Sequence, residues 1–485
     1  MIKDLSIFTK KEVMIMGGLG FSAGLPIMLV FSTLSVWLIK AGVERSTVTL
    51  FSWAGFAYSF KFLWSPIVDK FQIPLLHKIG HRKSWLLITQ ILIFFSIILT
   101  SYSDPQNNLK FMAFAIVLIA FFSATQDIVI DAFRIESAPE KKQGPLASMY
   151  LAGYRIAMIV SGAGSLWLAS IMSNENYQTE VWKSVYQIIG FFMIIGFIST
   201  ALCKEPTNKR VKKINYKDQL KFTFSTILSI LIFFVFFLNI PEAKILNHFY
   251  NFFYNILKII FSFGIALIFL LILEKINFLP KKQSREIFIN PIIDFFKRYK
   301  KIALMILLLI GLYRIADVVM GIMANIFYLE KGYEIKDIAT FSKFFGLIAT
   351  ILGGILGGTF AMKFGTYKSL LIGAITAALT NVLFAFLAII EKNLSYLATI
   401  IIADNLASGF AGAAFVVYLS SLTSIKFTAT QYALFTSLML FIPKLIAGYA
   451  GGIVDVIDYP SFFIFTAVLG FPVIFLIIFL NKRKL

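Results

Sequence analysis

The chain has 485 residues, 59% of them hydrophobic and only 14% charged; soluble domains carry roughly 25% charged residues, so a soluble globular protein is excluded and a polytopic membrane protein is indicated. A formal net charge of +20 would suit nucleic acid, but the bases sit in short loops between apolar runs, as membrane orientation requires, and no soluble basic domain is left to bind it. Cys203 stands alone, which rules out intramolecular disulfides and cysteine metal sites.

The start, MIKDLSIFTKKEVMIMGGLGFSAGLP, has a basic head but no small-residue cleavage site, so its apolar run reads as a first spanning helix rather than a removed signal. About twenty apolar residues cross a bilayer. Runs of that kind fall at 13–39, 47–69, 84–101, 109–133, 146–172 and 182–203, then at 221–240 and 254–273. Six more follow at 301–328, 338–362, 367–390, 395–421, 429–453 and 460–480. The expected fold is therefore all-α with 14 transmembrane helices in a 6+2+6 order. The expected division is an amino-terminal six-helix bundle (1–203), a cytoplasmic linker with two additional helices (204–300) and a carboxy-terminal six-helix bundle (301–485). The two middle segments are almost pure Phe, Ile and Leu and should face lipid at the periphery.

Lys and Arg concentrate in the first residues, in HKIGHRK, PEKKQG, KEPTNKRVKKINYK and PKKQSREIF, and in the tail NKRKL, whereas SDPQNN, SNENYQTE and DVIDYP are poor in bases. Both termini are expected on the cytoplasmic side. His77 and His81 lie in the first of these basic loops without an acidic ligand nearby and read as solvated rather than as a zinc pair.

Two six-helix halves suggest a parallel internal repeat. The loop after the second helix of each half carries a small residue, three spacers, an acid slot and a lysine: Ser65 with Asp69-Lys70, and Gly358 with Met362-Lys363. This resembles the loop motif of the major facilitator superfamily, although the second copy lacks its acid. Asp69, at a helix end, can pair with a base from a neighbour, and Arg134 is the candidate. A pair of this kind forms in one conformer and breaks in another, as a gate requires. Asp131 and Arg134 could equally anchor their helix by reaching the interface.

Other charges lie at membrane depth: Lys61, Asp127, Arg155, Arg314, Asp317, Asp404 and Lys444. At about 1.5 Å of rise per residue, Arg155 is about 14 Å from the nearer helix end. Each such charge costs about 2.5–3.5 kcal/mol at the bilayer centre, so they must face one another or a polar cavity. Arg314 and Asp317, three apart, can pair along one helix face. Bases slightly outnumber acids, which favours a ligand with carboxylates or phosphates. A buried acid can take up and release a proton, and Asp127 is the first choice for that, ahead of Asp317 and Asp404. Gly20 and Gly24, and the two registers Gly353/Gly357 and Gly354/Gly358, mark tight helix contacts. GLGFSAG follows no strand and is not a dinucleotide loop. No phosphate loop, Ser-His-Asp arrangement or metal-ligand cluster stands in the sequence, so an ATP-driven pump or an enzyme is not indicated and no cofactor is expected.

Longer stretches carry a closer resemblance. GFSAGLP…LSVWL, FKFLWSPIVD, RKSWLLITQ, ATQDIVIDAFR, AGYRIAMIVSG, LYRIADVVMG and GFAGAAFVVYLSSLTSIKFTATQYALFTSL together resemble the AmpG-type muropeptide permeases of the major facilitator superfamily. The resemblance covers nearly the whole chain except the Phe/Ile-rich middle. It implies a multi-pass inner-membrane protein; a monomer is the expected state, though nothing in the sequence sets it. Its cargo would be the anionic glycopeptide GlcNAc–anhydro-MurNAc and its peptides, carried from periplasm to cytoplasm by proton symport. It implies roles in the central cavity and in coupling for Gln126, Asp127 and Asp131, with Arg155, Arg314 and Asp317 in matching motifs. Lys444 and Asp404 match by local pattern. Tyr154 and Tyr313, with Tyr58 and Trp37, could offer stacking surfaces for sugar rings. Two other readings stand beside this one: the same fold carrying another anionic metabolite, such as a CoA or nucleotide derivative, and a non-transporting sensor or lipid flippase.

Overall fold

The computed structural model describes residues 6–44, 47–48, 51–139, 142–173, 177–206, 215–241, 248–447 and 450–482. Parts of the basic loops at 140–141 and 207–214, Gly448 and the extreme termini lie outside the described residues.

The first half runs α1 (Lys11–Val30 and Ser32–Lys40), α2 (a chain of short pieces ending in Ser65–Lys70), α3 (His81–Ser101), α4 (Leu109–Ser137), α5 (Gln143–Ile159 and Ser165–Met172) and α6 (Thr179–Phe191 and Ile194–Leu202). Two further helices follow, α7 (Tyr216–Asn239) and α8 (His248–Lys275), then a short linker helix, α9 (Asn290–Tyr299). The second half holds α10 (Ala303–Leu312 and Ile315–Glu330), α11 (Gly346–Phe364, entered through a π-helical turn, Ala339–Phe345), α12 (Thr366–Ile389) and α13 (Leu394–Leu422). It ends with α14 (Thr428–Ala447) and α15 (Ala450–Val468, kinked at Asp458, then Phe471–Lys482). Thirteen of these are long and apolar enough to cross a membrane; the irregular α2 brings the spans to the fourteen expected from the sequence.

The exception has a physical reason. The 47–69 run was expected as one helix, yet it breaks into a 3₁₀ turn (Phe51–Gly55), one α-turn (Phe56–Phe60), a second 3₁₀ turn (Lys61–Leu63) and Ser65–Lys70. Phe51, Phe56, Tyr58, Phe60, Phe62 and Trp64 crowd this stretch, and aromatic residues lose rotamer freedom against the preceding helical turn. Pro66, at the start of the last piece, suits a first turn because its missing N–H needs no partner there.

Small residues decide how the helices meet. A Cβ on Gly20 or Gly24 would lie about 2 Å from the backbone oxygen of Tyr150 or Tyr154, so α1 and α5 pack backbone to backbone. The two registers of the GGILGG stretch serve two different partners. Gly353 and Gly357 press on α13 at Leu406 and Phe410, whereas Gly358 meets Gly144 of α5 in the other half. Beside it, Ser148 Oγ donates to the Gly354 carbonyl at 2.7 Å. The halves are joined mainly through α5 with α11 and α13, and through α2 and α4 with α14. Ser32–Lys40 and Ile315–Glu330, which reach the base-poor end, make their extensive contacts within their own halves. The closed seam therefore lies toward the base-rich end.

Helices α7 and α8 pack on each other and against α2: the Phe233 and Phe60 rings are 5.1 Å apart, and those of Phe263 and Phe62 6.2 Å. Their outer faces expose Leu231, Val235, Ile260 and Ile268, as expected of peripheral, lipid-facing helices. Helix α9 is fastened to the second half by Arg298, which donates to the Leu422 carbonyl and to Gln431 Oε1, each at 2.9 Å. Gln431 in turn donates to the Pro291 carbonyl at 2.8 Å.

Candidate functional site

Asp69 ends α2 as a buried carboxylate, and a buried charge demands a partner. The partner is Arg82, in the first turn of α3: Arg82 Nη2 lies 2.8 Å from Asp69 Oδ1 and 2.7 Å from Glu136 Oε1 at the end of α4. Three helices of the first half are thus tied at one point. The second carboxylate oxygen of Asp69 crosses to the other half, accepting from the Thr430 hydroxyl at 3.1 Å. Lys70 Nζ also crosses, donating to the Lys426 carbonyl at 2.9 Å and lying 4.7 Å from the Phe427 ring centroid.

One layer deeper, helical spacing puts Asp127, Asp131 and Arg134 on one face of α4. Lys61, at the break in α2, stands opposite, with Nζ 3.7 Å from Asp127 and 3.9 Å from Asp131. Arg134 is fully buried, with Nη2 3.5 Å from Asp131, and donates to Gln143 Oε1 at 3.1 Å and to Ser420 Oγ of α13 at 2.8 Å. Its guanidinium also lies 5.2 Å from the Tyr432 ring centroid on α14. Two acids and two bases form this ladder, so its formal charges cancel. Two atoms are left over: Asp127 Oδ1 and Arg134 Nε are buried without a hydrogen-bond partner among the described residues.

The second half repeats the pattern. Arg314 follows the break between the two segments of α10 and bonds Asp317 one turn on; Ser408 of α13 lies 3.4 Å from each side chain. Asp404, one turn before Ser408, accepts from the Thr380 hydroxyl at 3.0 Å and acts electrostatically on Arg314. Across the interface stands Arg155 of α5, in electrostatic reach of Arg314 and Asp317. Among the described residues Arg155 has no salt bridge. Tyr154, beside it, is in electrostatic reach of both Asp127 and Arg155 and so connects the two clusters. The cavity between Tyr313, Arg314, Asp317 and Ser408 is about 10 Å³, room for about one water.

Helices on this scale, two like halves and an interface built from embedded charges describe a transporter frame. The model of the Major Facilitator Superfamily matches residues 42–448. The chain belongs to that superfamily. A putative transporter named AmpG 4 in Rickettsia conorii is 31% identical over 99% of this chain and 98% of its own length. The anhydromuropeptide permease of Escherichia coli K12 is 29% identical over 98% of this chain and 80% of its own. These place the chain among the AmpG-type members of the superfamily, which are transporters and not enzymes. In fold it is similar to FucP, crystallised in the outward conformation (TM-score 0.62, 13% identity, 97% of this chain and 99% of that one). It is similar also to the proton:xylose symporter XylE (TM-score 0.59, 12% identity, 98% and 95%).

Within this superfamily frame the residues singled out from the sequence separate. Lys61, Asp127, Asp131 and Arg134 come together, as do Arg155, Arg314, Asp317 and Asp404. The pairing expected between Asp69 and Arg134 does not form: Arg82 takes Asp69, and Arg134 turns toward Ser420. Arg134 is wholly enclosed, so it is not a snorkelling anchor. Gln126 is also wholly buried, donating to Ser22 Oγ on α1, while its Oε1 has no hydrogen-bond partner among the described residues. Tyr313 is stacked 4.3 Å from Phe415 and donates to the Leu370 carbonyl, which leaves its ring no free face for a sugar. Trp37 is enclosed against Trp182. Lys444 is exposed and, among the described residues, joins neither cluster. With Arg134 and Asp131 counted and Lys444 set aside, the buried bases no longer outnumber the acids. Sequence reading missed Ser420 and Thr430 as members of the seam and Glu136 as the second acid on Arg82. Glu136 sits two residues beyond Arg134 and could have been found as a further acid near that helix end; the other two are neutral hydroxyls with no signal of their own.

Proposed function

We propose that this chain is a proton-coupled importer of anhydro-muropeptides in a bacterial inner membrane, moving GlcNAc–anhydro-MurNAc and its peptides from periplasm to cytoplasm. The base-rich end is the cytoplasmic one. The first half (1–203) and the second (301–485) rock about the seam, which is closed toward the base-rich end. The observation that carries the reading is Arg155: a cation at membrane depth, without a salt bridge among the described residues, set against an Arg314–Asp317 pair across the interface. A carboxylate of the glycopeptide supplies its missing partner, and Arg314 lies close enough to share it. Asp127, with its unpartnered oxygen, carries the proton, and Asp317 and Asp404 respond to the bound substrate. Asp69, Lys70, Asp131 and Arg134 hold the cytoplasmic gate. Similarity over 98% of this chain and 80% of an anhydromuropeptide permease supports the choice of cargo.

The test is uptake of radiolabelled GlcNAc–anhydro-MurNAc tripeptide into right-side-out vesicles, with and without an uncoupler. Accumulation that collapses with the uncoupler supports the reading; no uptake by vesicles containing correctly inserted protein sinks it. A second reading has one observation in its favour. Rickettsia conorii carries both an AmpG 1 and an AmpG 4, 29% and 31% identical to this chain, so one organism holds more than one such transporter. On that reading the cargo is a different anionic metabolite, and uptake of a labelled nucleotide or CoA derivative in the same vesicles would reveal it.

A further inference from the structure

A groove of 470 Å³ opens beside the seam, on the flank covered by α7 and α8. That volume lies within the roughly 300–1,000 Å³ of small-molecule sites. Its walls come from both halves, Phe60 and Phe62 of α2 on one side and Leu434 and Phe441 of α14 on the other, while Ile292 and Phe296 of α9 form its floor. Nearly all of this lining is hydrocarbon or aromatic. One wall residue is polar and unsatisfied: Ser437 is buried, and its hydroxyl has no hydrogen-bond partner among the described residues.

At the floor the chemistry changes within one turn. Ile292, Ile293 and Phe296 are 47%, 41% and 45% exposed on a helix whose next residues include Lys297, Lys300 and Lys301, all exposed. Apolar residues facing outward beside lysines mark a helix lying in a membrane–water interface. Arg298 is already engaged by Asp294, Leu422 and Gln431, so it fixes the helix in place. The three lysines form no ion pair among the described residues and stay available. Ser437 lies six residues beyond Gln431 on α14, about 9 Å deeper along the helix. That is the order in which phosphate, glycerol ester and chain descend into a leaflet.

We propose that this groove binds an anionic phospholipid of the leaflet at the base-rich end. One acyl chain fills the space between α2 and α14, its ester carbonyl accepts from Ser437, and the phosphate headgroup rests on Lys297, Lys300 and Lys301. Zwitterionic lipids fill the same space without the charge attraction, which is where selectivity arises. Because the walls belong to both halves, the bound lipid favours the arrangement in which they stand together.

The experiment incubates the full-length protein in mild detergent with equimolar dioleoyl phosphatidylglycerol and dioleoyl phosphatidylcholine and reads retained lipid by native mass spectrometry. Phosphatidylglycerol should be retained in preference. The triple variant Lys297→Gln/Lys300→Gln/Lys301→Gln should lower its retention at least about tenfold and leave phosphatidylcholine unchanged. Ser437→Trp, which fills the groove, should lower retention of both with the lysines intact. If that variant fails to fold, Phe441→Trp replaces it as a fluorescence reporter, quenched more by chain-brominated phosphatidylglycerol than by chain-brominated phosphatidylcholine. Equal retention of the two lipids by the wild type, phosphatidylglycerol retention unchanged in the triple variant, or equal quenching overturns the site. None of these readouts depends on what the protein transports.

Discussion

Arg134 of the first half donates a 2.8 Å hydrogen bond to Ser420 of the second, although 286 residues separate them in the chain. A charge-assisted hydrogen bond contributes about 1.5–3 kcal/mol, and this one exists only while the base-rich end is closed. Ser420→Ala should therefore favour the alternative conformer by roughly ten- to a hundredfold, since every 1.4 kcal/mol is a factor of ten. Single cysteines placed beside Ser420 in a Cys203→Ser background should be alkylated faster from the base-rich side. Unchanged alkylation would mean that the bond holds nothing shut.

Gly358 makes a harsher version of the same test. A Cβ there would stand 2.5 Å from the Gly144 carbonyl oxygen and still closer to the Ser148 hydroxyl. The hydroxyl can swing away; the backbone cannot. Gly358→Val should keep each half folded, abolish transport and hold the base-rich end apart. Spin labels flanking the seam, read by pulsed dipolar spectroscopy, should show a lengthened distance with thermal unfolding little changed.

Arg82 pairs with two carboxylates at once, Asp69 and Glu136. Removing one partner of a buried pair costs about 3–5 kcal/mol because the remaining charge has no compensation. Arg82→Gln should thus lower the unfolding midpoint in detergent far more than Thr430→Val, which takes only one hydroxyl from Asp69. Arg82→Lys should recover part of the loss, since an ammonium cannot reproduce the guanidinium fork. Equal midpoints for Arg82→Gln and the wild type would show that Asp69 and Glu136 are solvated in the working protein.

What could be read from the sequence follows the range of each interaction. Spans were legible because about twenty apolar residues form a local signal, and Arg314 with Asp317 because three residues is one helical turn. The small-residue registers were legible as packing, but not that Gly354 and Gly358 would face the other half. The irregular α2 was hidden because apolar length is the same for a broken helix as for a regular one. Arg134 was expected as the partner of Asp69, but Arg82 sits near the same membrane surface and takes it; depth alone does not separate the two arginines. Ser420 and Thr430 carry no charge, so their part in the seam exists only once the halves are folded together.

Lys61 and Asp127 bear on coupling most directly. Their separation is 3.7 Å, and Asp131 lies 3.9 Å from the same ammonium, so one cation serves two acids. Asp131 also has Arg134 at 3.5 Å, whereas Asp127 has only its share of Lys61 and one oxygen without a hydrogen-bond partner among the described residues, which makes Asp127 the acid where a proton is the simplest second partner. Asp127→Asn keeps the shape, removes the charge and lets Lys61 serve Asp131 alone. Substrate exchange across vesicles with no gradient should then persist, while uphill accumulation driven by an imposed proton gradient should fall to the level of the uncoupled control. Lys61→Gln should do more damage, leaving two acids facing one another with Arg134 as their one remaining nearby base, and both exchange and accumulation should fail. If Asp127→Asn still accumulates substrate against a gradient, the proton travels elsewhere, and Asp404, bonded to Thr380 in the other half, is the next acid to neutralise.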